Sequence, residues 1–463
     1  MLTVFPLQLS RVYTEVDHIP FHLSTIYLLL QQGLFFLLQQ TFGKVFTEIL
    51  EEIDREIAES RDKQRFQMKD KRGVQLDTVF GTVSFKRNYY YDREAKQYVC
   101  LLDQFLQFKG GKGFSPLLEE WAIELAATGP SYRNAVRQIE TLLGYQVMSH
   151  EALRQHLLQC EVMKPAEKMR APRVLFVEVN GLHTKRQGKR KKGKEEKIAA
   201  VHMGWQKNGK RVSLIQKRHY HHKGNEPFWE GFETFLEDHY DYDATETKLI
   251  INGDGAKWIR ACQDYFQGQC FYCLDRFHVA KAIRELFRNH PRYREIRVAL
   301  SKYNPEKLLV ELNSAVGQMQ TEEKEKKLED LIELLTENQQ AITDYRKWLE
   351  EQDIETKRMR PMGSAEATMS VFSKRLKGGR SWSETGIQGL IDVFIAVKDG
   401  WSIRTLKGLF EPHECKEQQK KKATHMTKKY QKKVEAVTRN NVRYLQRSSG
   451  TPIYEALKAM VGF

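Results

Sequence analysis

Leu249-Ile250-Ile251-Asn252-Gly253-Asp254-Gly255-Ala256 is an apolar run that stops at a carboxylate set between two glycines. A short continuous apolar run bounded by glycine reads as a buried strand, which puts the carboxylate at the rim of a sheet. Upstream, Val174-Leu175-Phe176-Val177-Glu178-Val179-Asn180-Gly181 has the same form. Downstream, Gly363-Ser364-Ala365-Glu366 opens an amphipathic helix that runs into Lys374-Arg375-Leu376-Lys377. Acidic side chains from strand ends and a helix can hold divalent metal ions against a phosphodiester. The pattern therefore points to phosphoryl transfer on nucleic acid.

Working outward, strands are expected at 174–180, 197–205, 211–219, 248–253 and 269–275. The first three follow one another without an intervening helix. A helix over Pro227–Tyr240, a strand, a helix over Ala256–Phe266 and another strand come next. That succession is the order of an α/β ribonuclease-H-like domain, in which the strands ending at Asn180 and Asp254 are adjacent. The domain is expected to span 171–400, with a charged helical insertion at about 281–360.

Ahead of it, 1–70 reads as a helical region and 71–110 as a small β module. In the β module, Thr78 to Tyr91 alternates and carries aromatic residues. Residues 111–170 read as a mainly helical DNA-binding region. There, Ser131 and Ser149 cap two helices in helix–turn–helix spacing, leaving Arg154 and Gln155 to meet DNA. An ordinary helical hairpin is the competing reading. Residues 401–463 form a basic tail.

The chain has 463 residues, of which 41% are hydrophobic, so sizeable cores can be buried. Lys and Arg number 75 against 60 Asp and Glu, a formal charge of +15 that favours a polyanionic partner. The six cysteines are scattered, which fits a reducing cytosol better than a disulfide framework. Cys270 and Cys273 form a C-x-x-C, but the run 269–274 reads as a strand, where residues three apart face opposite ways. No basic leader precedes the chain's first apolar run, Ile26–Leu38. That run is cut by Gln31, Gln32 and Gly33, so no membrane span is expected and the location is cytoplasmic, nucleoid-associated.

A two-metal site needs clustered carboxylates holding ions ~3.5–4 Å apart. Asp254 is a candidate ligand, and a plain turn aspartate is the alternative. Glu366 is a second candidate, and a first-turn acid favoured by the helix dipole is its alternative. Asp275 and His278 follow the fifth strand, where His278 can order the site or sit as a satisfied core histidine. A basic loop carries Lys185, Arg186, Lys189, Arg190, Lys191 and Lys192. With Lys374, Arg375 and Lys377, these are candidate DNA contacts; a solvated loop is the bland reading.

Together these segments resemble a family. Asn180-Gly181, N-G-D-G-A-x-W-I at 252–259, L-D-R-F-H-x-x-K at 274–281, G-S-A-E at 363–366 and S-W-S-x-x-G at 381–386 are similar to the ISLre group of bacterial insertion-sequence transposases. These are DDE-type enzymes with Mutator-like relations. T-x-F-G-x-V-x-F-x-R at 78–87 and L-L-D at 101–103 share the likeness, which spans roughly 45–400.

The resemblance implies a catalytic triad at 180, 254 and 366, with two Mg²⁺ (or Mn²⁺) ions. It implies double-stranded DNA partners, namely terminal inverted repeats and target DNA, and a homodimer or higher oligomer. It also implies metal-dependent strand cleavage and strand transfer. The family expects aspartate at the first triad position, where this chain has Asn180. An amide brings no negative charge, so impaired catalysis is expected. Glu178, two residues earlier on the same face and about 6–7 Å away, is a possible partial substitute. The alternative is a catalytically inactive DNA-binding protein derived from a transposase.

Overall fold

The computed structural model describes residues 23–106, 113–163, 168–188 and 193–404. These fall into two compact units. One holds the described residues up to Trp121 together with Ile139–Val147. The other holds Ala122–Gln138 and those from Met148 onward. Between 111 and 170 the structure has three helices: the two expected after Ser131 and Ser149, at Tyr132–Leu143 and His150–Gln159, and one before them at Pro116–Thr128; they are divided between the units. Among the described residues no helix is long and apolar enough to cross a membrane.

In the first unit, the helix Leu23–Ser60 packs on a hairpin of Phe66–Thr78 and Gly81–Asp92. Alternate strand residues Val74, Leu76, Val83 and Phe85 turn inward to meet Leu50, Ile53 and Leu102. The 78–87 and 101–103 motifs are framework here. Thr78 Oγ1 donates to the Gly81 carbonyl at 2.8 Å and accepts from Phe80 N at 3.0 Å, closing the turn. Arg87 pairs with Asp103 beside fully buried Leu102. Burial pushes the Asp103 carboxyl up to about 6.

The second unit is mixed α/β. Its sheet contains β1 (Val174–Arg186), β2 (Lys194–His202), β3 (Arg218–His221), β4 (Lys248–Gly253) and β5 (Cys270–Leu274), in the order β3-β2-β1-β4-β5. β1, β2 and β3 run antiparallel to one another in turn; β4 and β5 run parallel to β1. Period-2 alternation sorts the side chains between two cores. Leu175, Val177, Val179, Leu249, Ile251, Tyr272 and Leu274 face the larger one, with the helices Phe228–His239 and Arg276–Phe287. Val174, Phe176, Ile250, Phe271 and Cys273 face the smaller one. Cys270 and Cys273 thus lie on opposite faces. The segment after Phe287 is helical, and Leu328, Leu331 and Leu335 of the Glu322–Glu337 helix join the larger core.

Two expected strands differ from the structure. β1 does not stop at Asn180 but continues to Arg186, paired with β2 as far as Thr184–Lys194. The expected strand 211–219 is broken in two. Arg211–Leu214 pairs only with Trp205–Asn208, and Gln216 at φ +49° turns the chain before β3 begins at Arg218.

Candidate phosphoryl-transfer site

The strand register brings the candidate residues to one place. Glu178 of β1 lies opposite Asn252 of β4, which lies opposite Cys273 of β5. Two residues further on come Asn180, still within β1, and Asp254 and Asp275, each just past the end of its strand. The Asp275 N–H donates to the Gly253 carbonyl at 2.7 Å, carrying the ladder past the end of β5. In β1, Asn180 keeps the parity of Val174 and Phe176, so it faces the smaller core. The helix Ala365–Leu376, with Glu366 in its first turn, packs against β1.

That helix is seated by Glu178. Its buried carboxylate accepts from Asn252 Nδ2 at 2.6 Å, Gly363 N at 3.1 Å, Ser364 N at 2.8 Å, Ser364 Oγ at 3.0 Å and Ala365 N at 3.2 Å. Helix N–H groups without an intrahelical partner need an acceptor, and Glu178 supplies it from a neighbouring strand. Burial raises its pKa, opposed by these same donors. One carboxylate therefore ties together the three segments that carry positions 180, 254 and 366. Glu178 is therefore not a spare acid for position 180, as the sequence suggested: both its oxygens are engaged by the helix and Asn252.

Asp254 is partly buried, and its Oδ1 accepts from Ala256 N at 3.1 Å. Its flanking glycines have separate reasons. A Cβ on Gly253 would stand 2.6 Å from Ile259 Cγ2, and Gly255 has φ +97°. Asn180 Oδ1 accepts from Gly181 N at 2.7 Å. Asp275 caps the next helix, accepting from Phe277 N at 3.2 Å, and holds His278 Nδ1 at 2.6 Å. The hydrogen bond to Asp275 raises the His278 pKa, and the charges of Asp254 and Glu366 add to it. His278 thus shares one electrostatic neighbourhood with both acids.

These residues do not fit a two-ion centre. Among the described residues no group of three or more His, Cys, Asp or Glu side chains stands ready to hold a metal. The reason is chemical. Position 180 carries an amide, and the nearby carboxylates Glu178 and Asp275 are engaged as helix caps. Asp254 and Glu366 remain as the anionic donors.

The candidate DNA contacts divide. Arg186 is buried and pairs with Glu196 and Glu384, while Thr184 Oγ1 accepts from it at 2.6 Å. Arg375 is 3% exposed; it donates to the carbonyls of Ala126 and Ala127 and lies over the Tyr132 and Trp382 rings. Both are framework rather than surface cations, since each found partners far along the chain. Arg154 is not free either, because it holds Glu151 in a bidentate pair that Gln155 joins. Lys185, Lys374 and Lys377 are exposed. Lys189, Arg190, Lys191, Lys192 and the basic tail lie outside the described residues. The S-W-S-x-x-G segment is a cap: Ser383 Oγ accepts from Gly386 N at 3.1 Å, and Trp382 Nε1 donates to Leu376 O at 2.8 Å.

Comparison with known proteins gives a consistent result. The profile described as "Uncharacterised protein family (UPF0236)" matches residues 26–409. A UPF0236 protein in the vanSb 3′ region of Streptococcus gallolyticus is 29% identical over 70% of this chain and 73% of its own length. A UPF0236 protein of Caldanaerobacter subterraneus subsp. tengcongensis is 28% identical over 83% of this chain and 81% of its own. Another from the same strain is 26% identical over the same shares, 83% and 81%. The chain belongs to the uncharacterised family UPF0236.

Proposed function

For this member of UPF0236 we propose a DNA-processing role of the DDE transposase type, as the likeness to the ISLre group implies, with strand cleavage impaired by Asn180. The observation that carries this reading is the register that aligns Glu178, Asn252 and Cys273 across adjacent parallel strands, so that Asn180, Asp254 and Asp275 each follow two residues on, with the helix of Glu366 packed against β1. Three further observations support it. The sheet order β3-β2-β1-β4-β5, with β4 and β5 parallel to β1, is compatible with the ribonuclease-H-like reading of the sequence. The formal charge is +15. One relative's name joins eleven locus designations of one strain, the multiplicity expected of a mobile element.

In this reading Asp254 and Glu366 would hold a single Mg²⁺ or Mn²⁺ ion. The ion would supply charge for an in-line displacement at phosphorus. The chain's own residues do the rest. Lys374 and Lys377, exposed at the end of the Glu366 helix, grip the phosphate backbone of double-stranded DNA. Glu178 fixes where that helix begins. His278, held by Asp275 and raised above its ordinary pKa by that bond, is the imidazole placed to meet a phosphate oxygen. A homodimer brings two element ends together. The second reading, a DNA-binding protein without catalysis, is favoured by the amide at position 180.

The test is a cleavage assay with Mg²⁺ on DNA carrying the element's ends. The native chain is expected to bind and nick weakly. Asn180→Asp is expected to raise nicking roughly 100- to 1,000-fold, the usual worth of one well-placed charged group at a phosphoryl or acyl centre. Binding with no nicking by either protein supports the non-catalytic reading. No DNA binding by either rejects both.

A further inference from the structure

Against the Ala365–Leu376 helix lies a cavity of about 630 Å³. Glu178, Gly363 and Ser364 line it, so it borders the turn that seats Glu366. Trp205, Leu214 and Val371 give it an apolar wall, and Lys217, Arg360 and Lys398 give it positive charge. The lining carboxylate, Glu178, is already occupied by its five donors.

Lys217 is the informative residue. It lies just before β3, and its side chain runs inward to the helix, where Nζ donates to Thr368 Oγ1 at 2.6 Å. Among the described residues it forms no ion pair. Glu178 and Asp399 act on it only through space, and Asp399 is itself held by His219. A partly buried ammonium that meets only a hydroxyl is costly unless an anion completes it. The space beside it is open and carries two more cations.

We infer that this cavity takes one unpaired nucleotide of a DNA strand. This rests on the DNA-processing reading above and adds the state of the DNA. The phosphate meets Lys217 and Lys398, and the base lies against Trp205 and Val371. The lining excludes simpler occupants. A free phosphate has no use for the apolar wall, and a duplex is too wide for a cavity of this size. The volume falls within the usual range for small-ligand sites, about 300–1,000 Å³. Base stacking on an aromatic ring tolerates any sequence, so the cavity reads strand opening rather than base identity. The unpaired nucleotide would stand within about one helix width, ~10 Å, of Glu366.

The experiment measures binding of the full chain to two fluorescent duplexes at one ionic strength, without divalent cation. One duplex is blunt and the other carries two unpaired nucleotides containing 2-aminopurine. The native chain is expected to prefer the overhang by about tenfold, the worth of one stacked base with its phosphate contact. Its binding should also change the 2-aminopurine emission. Lys217→Met should remove the preference and leave the blunt duplex unaffected. Val371→Trp fills the cavity from the helix's exposed side, so it should do the same without disturbing the core. Equal native affinity for both duplexes overturns the inference, as does an equal loss for both in the variants. Either result leaves the DNA-processing reading standing; failure to bind any DNA defeats that reading and this inference with it.

Discussion

Removing the Glu178 carboxylate should unseat the helix that carries Glu366. In Glu178→Ala, the N–H groups of Gly363, Ser364 and Ala365 and the amide of Asn252 lose their acceptor at once. The Ser364 hydroxyl can turn elsewhere. At about 1 kcal/mol net for each of these donors the loss is about 4 kcal/mol. Relief of a buried charge offsets part of it, leaving about 3 kcal/mol. Glu178→Gln separates charge from shape. Its carbonyl can keep the donors now on Oε1, and Asn252 can turn its own oxygen to meet the new amide. The bond from Ala365 N and the charge at the helix terminus are lost, about 1 kcal/mol together. Urea unfolding followed by tryptophan fluorescence measures both. An alanine variant within about 1 kcal/mol of native, or a glutamine variant as weak as alanine, would refute this role.

Stability should also depend on pH through His202, which is fully buried and stacked on Phe176. Burial holds it down at about 4, against an ordinary 6.5. The unfolded chain therefore takes up a proton that the folded one refuses. Stability should fall by about 3 kcal/mol as pH drops from 6.5 toward 4 and then level off; His202→Gln should flatten this slope in urea titrations. Arg375→Ala should cost about 2–3 kcal/mol in the same assay and leave DNA affinity unchanged, whereas Lys377→Ala should weaken DNA binding and lower its salt dependence without loss of stability. Gly253→Ala should destabilise by about 2 kcal/mol, because its Cβ meets fully buried Ile259; an unchanged urea midpoint would show that Ile259 can move.

The sheet's parallel strands were legible because they are apolar runs covered on both faces, such as 249–251 and 174–177. The helix caps at Ser131 and Ser149 were legible because their bonds are local, closing on Asn134 N and Ala152 N. What escaped depends on partners distant in the chain. Arg186 and Arg375 read as surface cations, and only Glu384 and the Ala126–Ala127 carbonyls reveal them as buried. Glu178 read as a spare acid because its donors stand far along the chain, Asn252 74 residues on and Gly363 to Ala365 185–187. The extension of β1 past Asn180 is hidden by its charges, since Thr184 and Arg186 are buried only through the Glu196 network. The break at Gln216 is a left-handed residue with no glycine to announce it.

The convergence of positions 180, 254 and 366 is tested most directly by Mn²⁺ binding in a double-mutant cycle, read by electron paramagnetic resonance. Asn180→Asp should tighten binding, and adding Asp254→Asn or Glu366→Gln should abolish that gain, a coupling above about 1 kcal/mol in each pair. If the new aspartate contributes the same amount with either acid present or neutralised, the three side chains do not meet at one cation.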